Sequence, residues 1–517
     1  MLLSGATDIA AETGDPQLLR MIGRVWRNAT QKNLYVTGGI GPSAHNEGFT
    51  ADYDLPNRTA YQETCASVAL AQWNHRLALL YGDARYADVM ERSLYNGVLA
   101  GVSLDGTRFF YVNPLESVGT HHRSDWFGCA CCPPNVARTL ASLGGYAYAV
   151  SPEALWINLY IQSAATANVH GQKVVFDVTT DYPWNGKVTV RPKLAEPSRF
   201  ELRLRVPGWC RDASVAVNRV EPGAVLERGY LVIAREWREG DVVELNLPMP
   251  VEKIAAHPAV KDDAGQIALQ RGPLVYCLEQ ADLTSRLAPV YLPAESELAA
   301  RMAGTLLGGV VVLEGTAQSP AEMAWKNQLY QPLAKAHSIP ITAIPYYAWD
   351  NRSPGPMKVW LPIAPEPTVT GGLERQAEVS LSFTSSNCQP GGINDGLECK
   401  ASGDQPPAVC HWWPHKGGTE WAQYRWRKPV QIAGAKVFWF DDTGRGQCRL
   451  PAAWQLQYAD GTDWRPVQVT DPYQVARDQW CDVHFQPITT TALRLVVEMQ
   501  SGWAAGVHEW QVIEAAD

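Results

Sequence analysis

Residues 126–135 read Trp126-Phe127-Gly128-Cys129-Ala130-Cys131-Cys132-Pro133-Pro134-Asn135. The two prolines predict a helix that starts just after the thiols, because proline is tolerated in a first helical turn and Val136, Leu140 and Leu143 then share one apolar face. Upstream, Glu63-Thr64-Cys65 supplies a carboxylate and another thiol. Three soft sulfurs and one carboxylate oxygen make a donor set suited to four-coordinate zinc. Structural zinc pairs usually leave a gap of roughly two to four residues between ligands, so the adjacent Cys131 and Cys132 point to a purpose other than stapling. A helix N-terminus favours thiolate over thiol, and a bound cation does so more strongly, which makes a nucleophile available at neutral pH. Glu63 and Cys65 are two positions apart and would face different sides of a straight helix, so they are expected in the turn before one settles. Local spacing leaves three other readings open: a purely structural zinc site, free buried cysteines, and a rival ligand set that recruits His121 or His122.

Working outward, residues 1–150 read as helices joined by long loops. Apolar side chains recur at helical spacing over Tyr61 to Leu80 and Ala84 to Ala100, with Gly82-Asp83 between them, which predicts an antiparallel helical hairpin. The loop Val36-Thr37-Gly38-Gly39-Ile40-Gly41-Pro42 is rich in glycine but lacks the Lys-Ser/Thr and the G-x-G-x-x-G register of a nucleotide cradle. It is expected to be a flexible active-site loop leading to His45-Asn46-Glu47-Gly48-Phe49. By composition alone Glu47 is a solvated loop charge.

After Ser151 the pattern becomes short and alternating, as in Val188-Thr189-Val190-Arg191, Glu201 to Val206 and Val242 to Leu247, with turns at Pro207-Gly208, Glu239-Gly240 and Arg271-Gly272-Pro273. These predict one or two β-sandwiches over 151–365, with Met357 to Leu361 as a late strand. Residues 364–370 read as a linker. The remainder, 371–517, is expected to be a separate β module with strands at Ala435 to Phe440, Trp454 to Tyr458 and Ala492 to Glu498. The fold class is therefore multidomain α plus β.

The 517 residues suit about three domains. Apolar residues make up 46% and charged residues 19%, a balance that supports packed cores rather than disorder. Lys plus Arg number 44 against 53 Asp plus Glu, a net charge of −9 with no basic run, so nucleic acid is a poor partner. No apolar stretch approaches the roughly 18–20 residues of a membrane span, and the opening residues have neither the basic start nor the apolar core of a signal peptide. Taken from Met1 this places the chain in the cytoplasm; a start further upstream would allow a secreted or periplasmic protein. Eleven cysteines are an odd number, which excludes a complete disulfide framework. Twenty Trp against ten Phe tilt the chain towards ring-bearing ligands such as sugars, since indole stacks on apolar ring faces.

Taken together, Tyr35 to Gly41, the Glu47 loop, Glu63-Thr64-Cys65, Phe109 to Leu115 and Trp126 to Asn135 resemble the zinc- and cysteine-dependent β-L-arabinofuranosidases of glycoside hydrolase family 127. The likeness extends more loosely through Trp349 to Arg352 and Met357 to Trp360, and so covers about 1–365. The resemblance implies a retaining hydrolase that removes terminal β-L-arabinofuranosyl or similar residues from plant-type glycans. In it Cys131 attacks the anomeric carbon, Glu47 protonates the departing oxygen, Glu63, Cys65, Cys131 and Cys132 hold Zn2+, and Tyr111 lies on the substrate side. Those roles require Glu47 to sit off the metal in a drier pocket that keeps its proton. Family members begin with a longer helical stretch that closes an (α/α)6 barrel, so the resemblance implies that 1–150 is the second half of such a barrel and that the chain is N-terminally truncated. Residues 371–517 resemble, more weakly, a discoidin-type, galactose-binding-like jelly roll, with Trp412, Trp413 or Trp503 as stacking platforms for carbohydrate. The rival function is a non-catalytic carbohydrate-binding protein with a structural zinc, or an inactive fragment of such an enzyme. Self-association is left open.

Overall fold

The computed structural model describes residues 1–44, 46–283, 286–287, 290–320, 335–364, 372–384, 388–396, 399–406, 408–461 and 463–515. His45 and most of the expected linker lie outside the described residues. The chain divides into two compact units, Met1–Glu366 and Pro367–Asp517.

The first unit opens with helices α1 (Leu2–Thr13), α2 (Pro16–Lys32), α3 (Thr64–Tyr81) and α4 (Ala84–Arg92). Their ends follow from side-chain chemistry. Asp15 accepts from the Gln17 and Leu18 amides at the start of α2, and Asp83 accepts from the Arg85 amide at the start of α4. Gly82 ends α3 in the left-handed conformation that favours glycine. Ile22, Trp26, Leu70, Trp73, Leu77 and Tyr86 bury one shared core. Both indoles in it are satisfied, Trp26 donating to Asn74 at 2.8 Å and Trp73 to Thr7 at 3.0 Å. Helix α5 (Cys132–Ser142) follows the thiol motif.

Two helix expectations are corrected. The first helix of the hairpin starts at Thr64, not Tyr61, because Tyr61 and Gln62 are held in the loop, their amides donating to Pro42 and Gly41 carbonyls. The second does not run unbroken from Ala84 to Ala100. At Ser93–Val98 it widens into a π-helical turn. There the Asn96 amide donates to the Arg92 and Pro273 carbonyls and accepts from the Val275 backbone, so the wider turn aims a side chain at the neighbouring strand.

Beyond α5, two five-stranded sheets enclose one core. One holds Tyr148–Ser151, Ala154–Ile157, Ser198–Arg205, Tyr230–Trp237 and Val225–Glu227; the other holds Ser163–Val169, Gln172–Thr180, Lys187–Lys193, Val243–Asn246 and Ser214–Val217. Alternation decides the faces, with Val188, Val190 and Pro192 buried between exposed or half-buried neighbours. Burying side chains such as Phe176, Leu202 and Trp237 contributes roughly 1.5–3 kcal/mol each. A further nine-stranded sheet is built over Val251–Pro362. It also recruits Glu116–Ser117 from the helical region, paired with Lys358 and Met357. The expected strand over 357–361 is split into Met357–Lys358 and Leu361–Pro362, which pair with different neighbours.

The second unit is a seven-stranded sheet dominated by two long strands, Gly418–Phe440 and Trp480–Met499, paired antiparallel with bulges near Arg425/Val430 and Ile432/Gly434. Trp412, Trp426, Trp439, Trp454 and Trp510 fill its core.

Candidate metal and nucleophile site

Two helix N-termini bring the sulfur-bearing residues together. Glu63 caps α3 without spending its side chain on a backbone bond, and Cys65 sits in the first turn, inside the helix rather than before it. Cys131 is the N-cap of α5 and Cys132 its first residue, followed at once by the two prolines. One ligand atom from each of Glu63, Cys65, Cys131 and Cys132 lies within 4.8 Å of every other. Cys131 Sγ is 3.3 Å from Glu63 Oε1, Cys65 Sγ is 3.4 Å from Cys132 Sγ, and Cys131 and Cys132 are 3.7 Å apart. Cys132 is fully buried; the other three are half-buried.

Without a cation the protons are unevenly held. Burial pushes the Cys131 thiol up to about 12. Cys132 is raised further, first by its hydrogen bond to Cys65, and the same bond holds Cys65 below the usual thiol range. Tyr111 is half-buried, its ring lies 6.1 Å from that of Tyr61, and it meets Phe127 edge-on at 5.5 Å. Desolvation is the first cause of its raised pKa, so the phenol stays protonated and available as a donor.

Glu47 lies in a left-handed turn with φ 49° and is exposed, so the dry pocket expected for it is not found among the described residues. Its side chain is held from one side, by the Tyr61 hydroxyl donating to Oε1 at 3.2 Å. Tyr61 thereby contacts both Glu47 and Tyr111. Asn135 donates to Cys65 Sγ at 3.0 Å. Neither Tyr61 nor Asn135 was singled out from the sequence. Asn135 had a signal in hindsight, since it stands three residues after Cys132 and faces the same side of α5.

The glycine loop is not a flexible flap. Gly38 and Gly39 are buried, and a Cβ on Gly38 would lie 2.7 Å from the Ser93 backbone nitrogen. The turn is small because α4 passes directly over it. His121 and His122 are not part of the sulfur cluster. His121 stacks on Phe110 at 4.9 Å and bonds the Val112 carbonyl, while His122 pairs with Asp350 and the Gly119 carbonyl. Val112, Asp350 and Gly119 thus take three of the four ring nitrogens, which the sequence spacing did not reveal.

Three profiles of one hydrolase family align along the first unit: "Beta-L-arabinofuranosidase, GH127 catalytic domain" at residues 2–145, the GH127 middle domain at 154–249 and the glycoside hydrolase family 127 C-terminal domain at 251–362. The chain is 37% identical over 390 residues to the non-reducing end β-L-arabinofuranosidase of Bifidobacterium longum subsp. longum, covering 69% of this chain and 58% of that protein. Among solved structures it is similar to Ara127N-Se, a GH127 β-L-arabinofuranosidase from Geobacillus stearothermophilus T6, with a TM-score of 0.67 and 46% identity over 69% of this chain and 59% of that one. The GH127 β-arabinofuranosidase BT3674 gives the same TM-score at 40% identity, over 70% of this chain and 59% of that one. The fold and the aligned profiles are those of a glycoside hydrolase. The chain belongs to glycoside hydrolase family 127. It spans a little under three-fifths of the length of these relatives.

Proposed function

We propose that this chain carries the catalytic centre of a retaining β-L-arabinofuranosidase, with Cys131 as nucleophile, Glu47 as acid and base, and Glu63, Cys65, Cys131 and Cys132 as ligands of Zn2+. The observation that carries the reading is the convergence of three sulfurs and one carboxylate within 4.8 Å, on two helix N-termini, beside a tyrosine pair that reaches Glu47. The donor set fits zinc, being sulfur-rich and able to close a tetrahedron. Bound zinc would supply the positive charge that keeps these sulfurs as thiolates, against a burial that otherwise holds Cys131 protonated.

In this reading the Cys131 sulfur attacks the anomeric carbon and displaces the aglycone oxygen, to which Glu47 gives its proton. Water then takes the sugar from Cys131 as Glu47 recovers a proton, which preserves anomeric configuration. Tyr61 orients the Glu47 carboxyl, and Tyr111 donates to the sulfur side of the site. The helices of 1–150 are read as part of an (α/α)6 barrel. Glycan is the substrate class, and the terminal β-L-arabinofuranosyl group follows from the relatives named above.

Cys131→Ala and Glu47→Gln should each lower turnover of an aryl β-L-arabinofuranoside by about a thousandfold or more, followed by release of the chromophore. NMR of the first-formed arabinose should show retained configuration. Activity surviving Cys131→Ala would overturn the nucleophile assignment. Zinc that stays at one per chain in Cys132→Ser would overturn the ligand set.

For residues 371–517 we propose a jelly-roll module that binds carbohydrate on a loop cluster. Trp413 and Trp503 are 40% and 37% exposed, and Gln447 and Arg449 stand by them, Gln447 accepting from the Trp413 indole and Arg449 lying 3.9 Å over the Trp503 ring. Trp412 is withdrawn as a platform, since it is 1% exposed and belongs to the core. Stoichiometric metal and sugar affinity without hydrolysis would select the non-catalytic reading instead.

A further inference from the structure

In the second unit the sulfurs of Cys388 and Cys410 lie 3.1 Å apart, inside the ~3.5–4.0 Å at which nonbonded heavy atoms rest. Both residues are buried. Cys388 stands just before the short 3-10 turn Pro390–Asn394, and Cys410 begins the strand Cys410–His411, where it pairs with Val507 of the sheet. The pair therefore joins a stretch of little regular structure to the main sheet. It is not a metal site, because among the described residues the metal-competent group is that of Glu63, Cys65, Cys131 and Cys132. A thiol is also a weak hydrogen-bond donor, which gives little reason to hold two of them in such close contact.

We propose that Cys388 and Cys410 form a disulfide within the second unit, made when the chain folds in the presence of a small-molecule disulfide such as oxidised glutathione. The Cys388 thiolate attacks one glutathione sulfur, breaking the S–S bond and releasing the first glutathione thiolate. The Cys410 thiolate then attacks the Cys388 sulfur of the mixed disulfide and releases the second. Two protein thiols lose two electrons, one glutathione disulfide gains them, and the two thiol protons pass to the released glutathione. Bond formation requires the sulfurs to close by about 1 Å, to ~2.05 Å.

The test is cell-free synthesis of the full chain in a glutathione redox buffer containing zinc to protect the thiols of the first unit. Denaturing alkylation with iodoacetamide and tryptic mass mapping follow. The expected product is peptide 376–400 joined to peptide 401–416 through Cys388 and Cys410, separated by reductant, with Cys399 alkylated. Alkylated Cys388 and Cys410, or Cys388 joined to Cys399 or Cys448, would overturn the proposal. Oxidation should also raise the thermal midpoint of the second unit by roughly 5–10 °C, as expected for a bond closing a loop of this length. That rise should vanish in Cys388→Ser and in Cys410→Ser; an undiminished rise in either would count equally against it.

Discussion

Arg205 has no exposed side-chain surface and divides its guanidinium between Glu91, itself buried, and Asp88, at 2.6 Å. Glu91 is further held by the Tyr182 hydroxyl and the Trp209 indole, so one carboxylate ties α4 to the sheet that contains Arg205. Glu91→Leu would leave the buried Arg205 with Asp88 as its one carboxylate partner and should cost about 3 kcal/mol in urea unfolding. Adding Arg205→Met should recover only part of that loss, because Asp88 then loses its partner and the Tyr182 hydroxyl and Trp209 indole stay without theirs. Asp263 behaves differently. Burial pushes its carboxyl up to about 7, with the Asn57 amide opposing part of the rise. A carboxyl raised in the folded state binds its proton more tightly there than in the unfolded chain. Its contribution to stability is therefore greatest below about pH 4, falls as pH rises from there to about 7, and is level above. Asp263→Asn should flatten that slope, measured as the urea midpoint at pH 5 against pH 8. At this scale the metal-competent residues were legible because sulfur and carboxylate chemistry is written in residue type. Glu47's exposure was legible as well, in the polar and glycine-rich loop that marks it as a solvated charge; the dry pocket was inferred from what its role demands and not from anything packed around it.

Elements were legible where one periodicity dominates. The alternation over Glu201 to Val206 becomes Ser198–Arg205, and that over Val242 to Leu247 becomes Val243–Asn246. The expected strand Ala435 to Phe440 is the end of one that begins at Gly418, because bulges interrupt the alternation without ending the pairing. The π-helical turn was illegible for a related reason: Ser93–Val98 keeps helical composition, and its widening answers to Pro273 and Val275, some 180 positions away. The tight turn beneath it supplies a prediction. Gly38 has φ 74° and no room for a Cβ. Gly38→Ala should therefore destabilise the first unit by about 2–4 kcal/mol, read as a lowered thermal midpoint.

For the molecule as a whole, two units with separate cores predict two unfolding transitions by calorimetry. If the sulfur cluster holds zinc, chelation should lower the midpoint belonging to 1–366 and leave that of 367–517 in place, because bound metal stabilises only the unit that carries its ligands. Equal shifts in both would contradict that assignment. The division itself was marked in the sequence by Ala364-Pro365-Glu366-Pro367. The wiring inside the first unit was not, because it joins residues more than two hundred positions apart. Glu116 and Ser117 pair with Lys358 and Met357, Val359 donates to the Leu115 carbonyl, Tyr346 donates to the Pro114 carbonyl, and the Arg123 amide meets Asp350. The segment between Tyr111 and the thiols is thus moored to strands made far later in translation. On the ribosome, the thiol loop must wait without its anchor until residue 359 has cleared the exit tunnel. A nascent chain stalled before that point would carry every residue of the sulfur cluster yet lack the moorings that seat its loop.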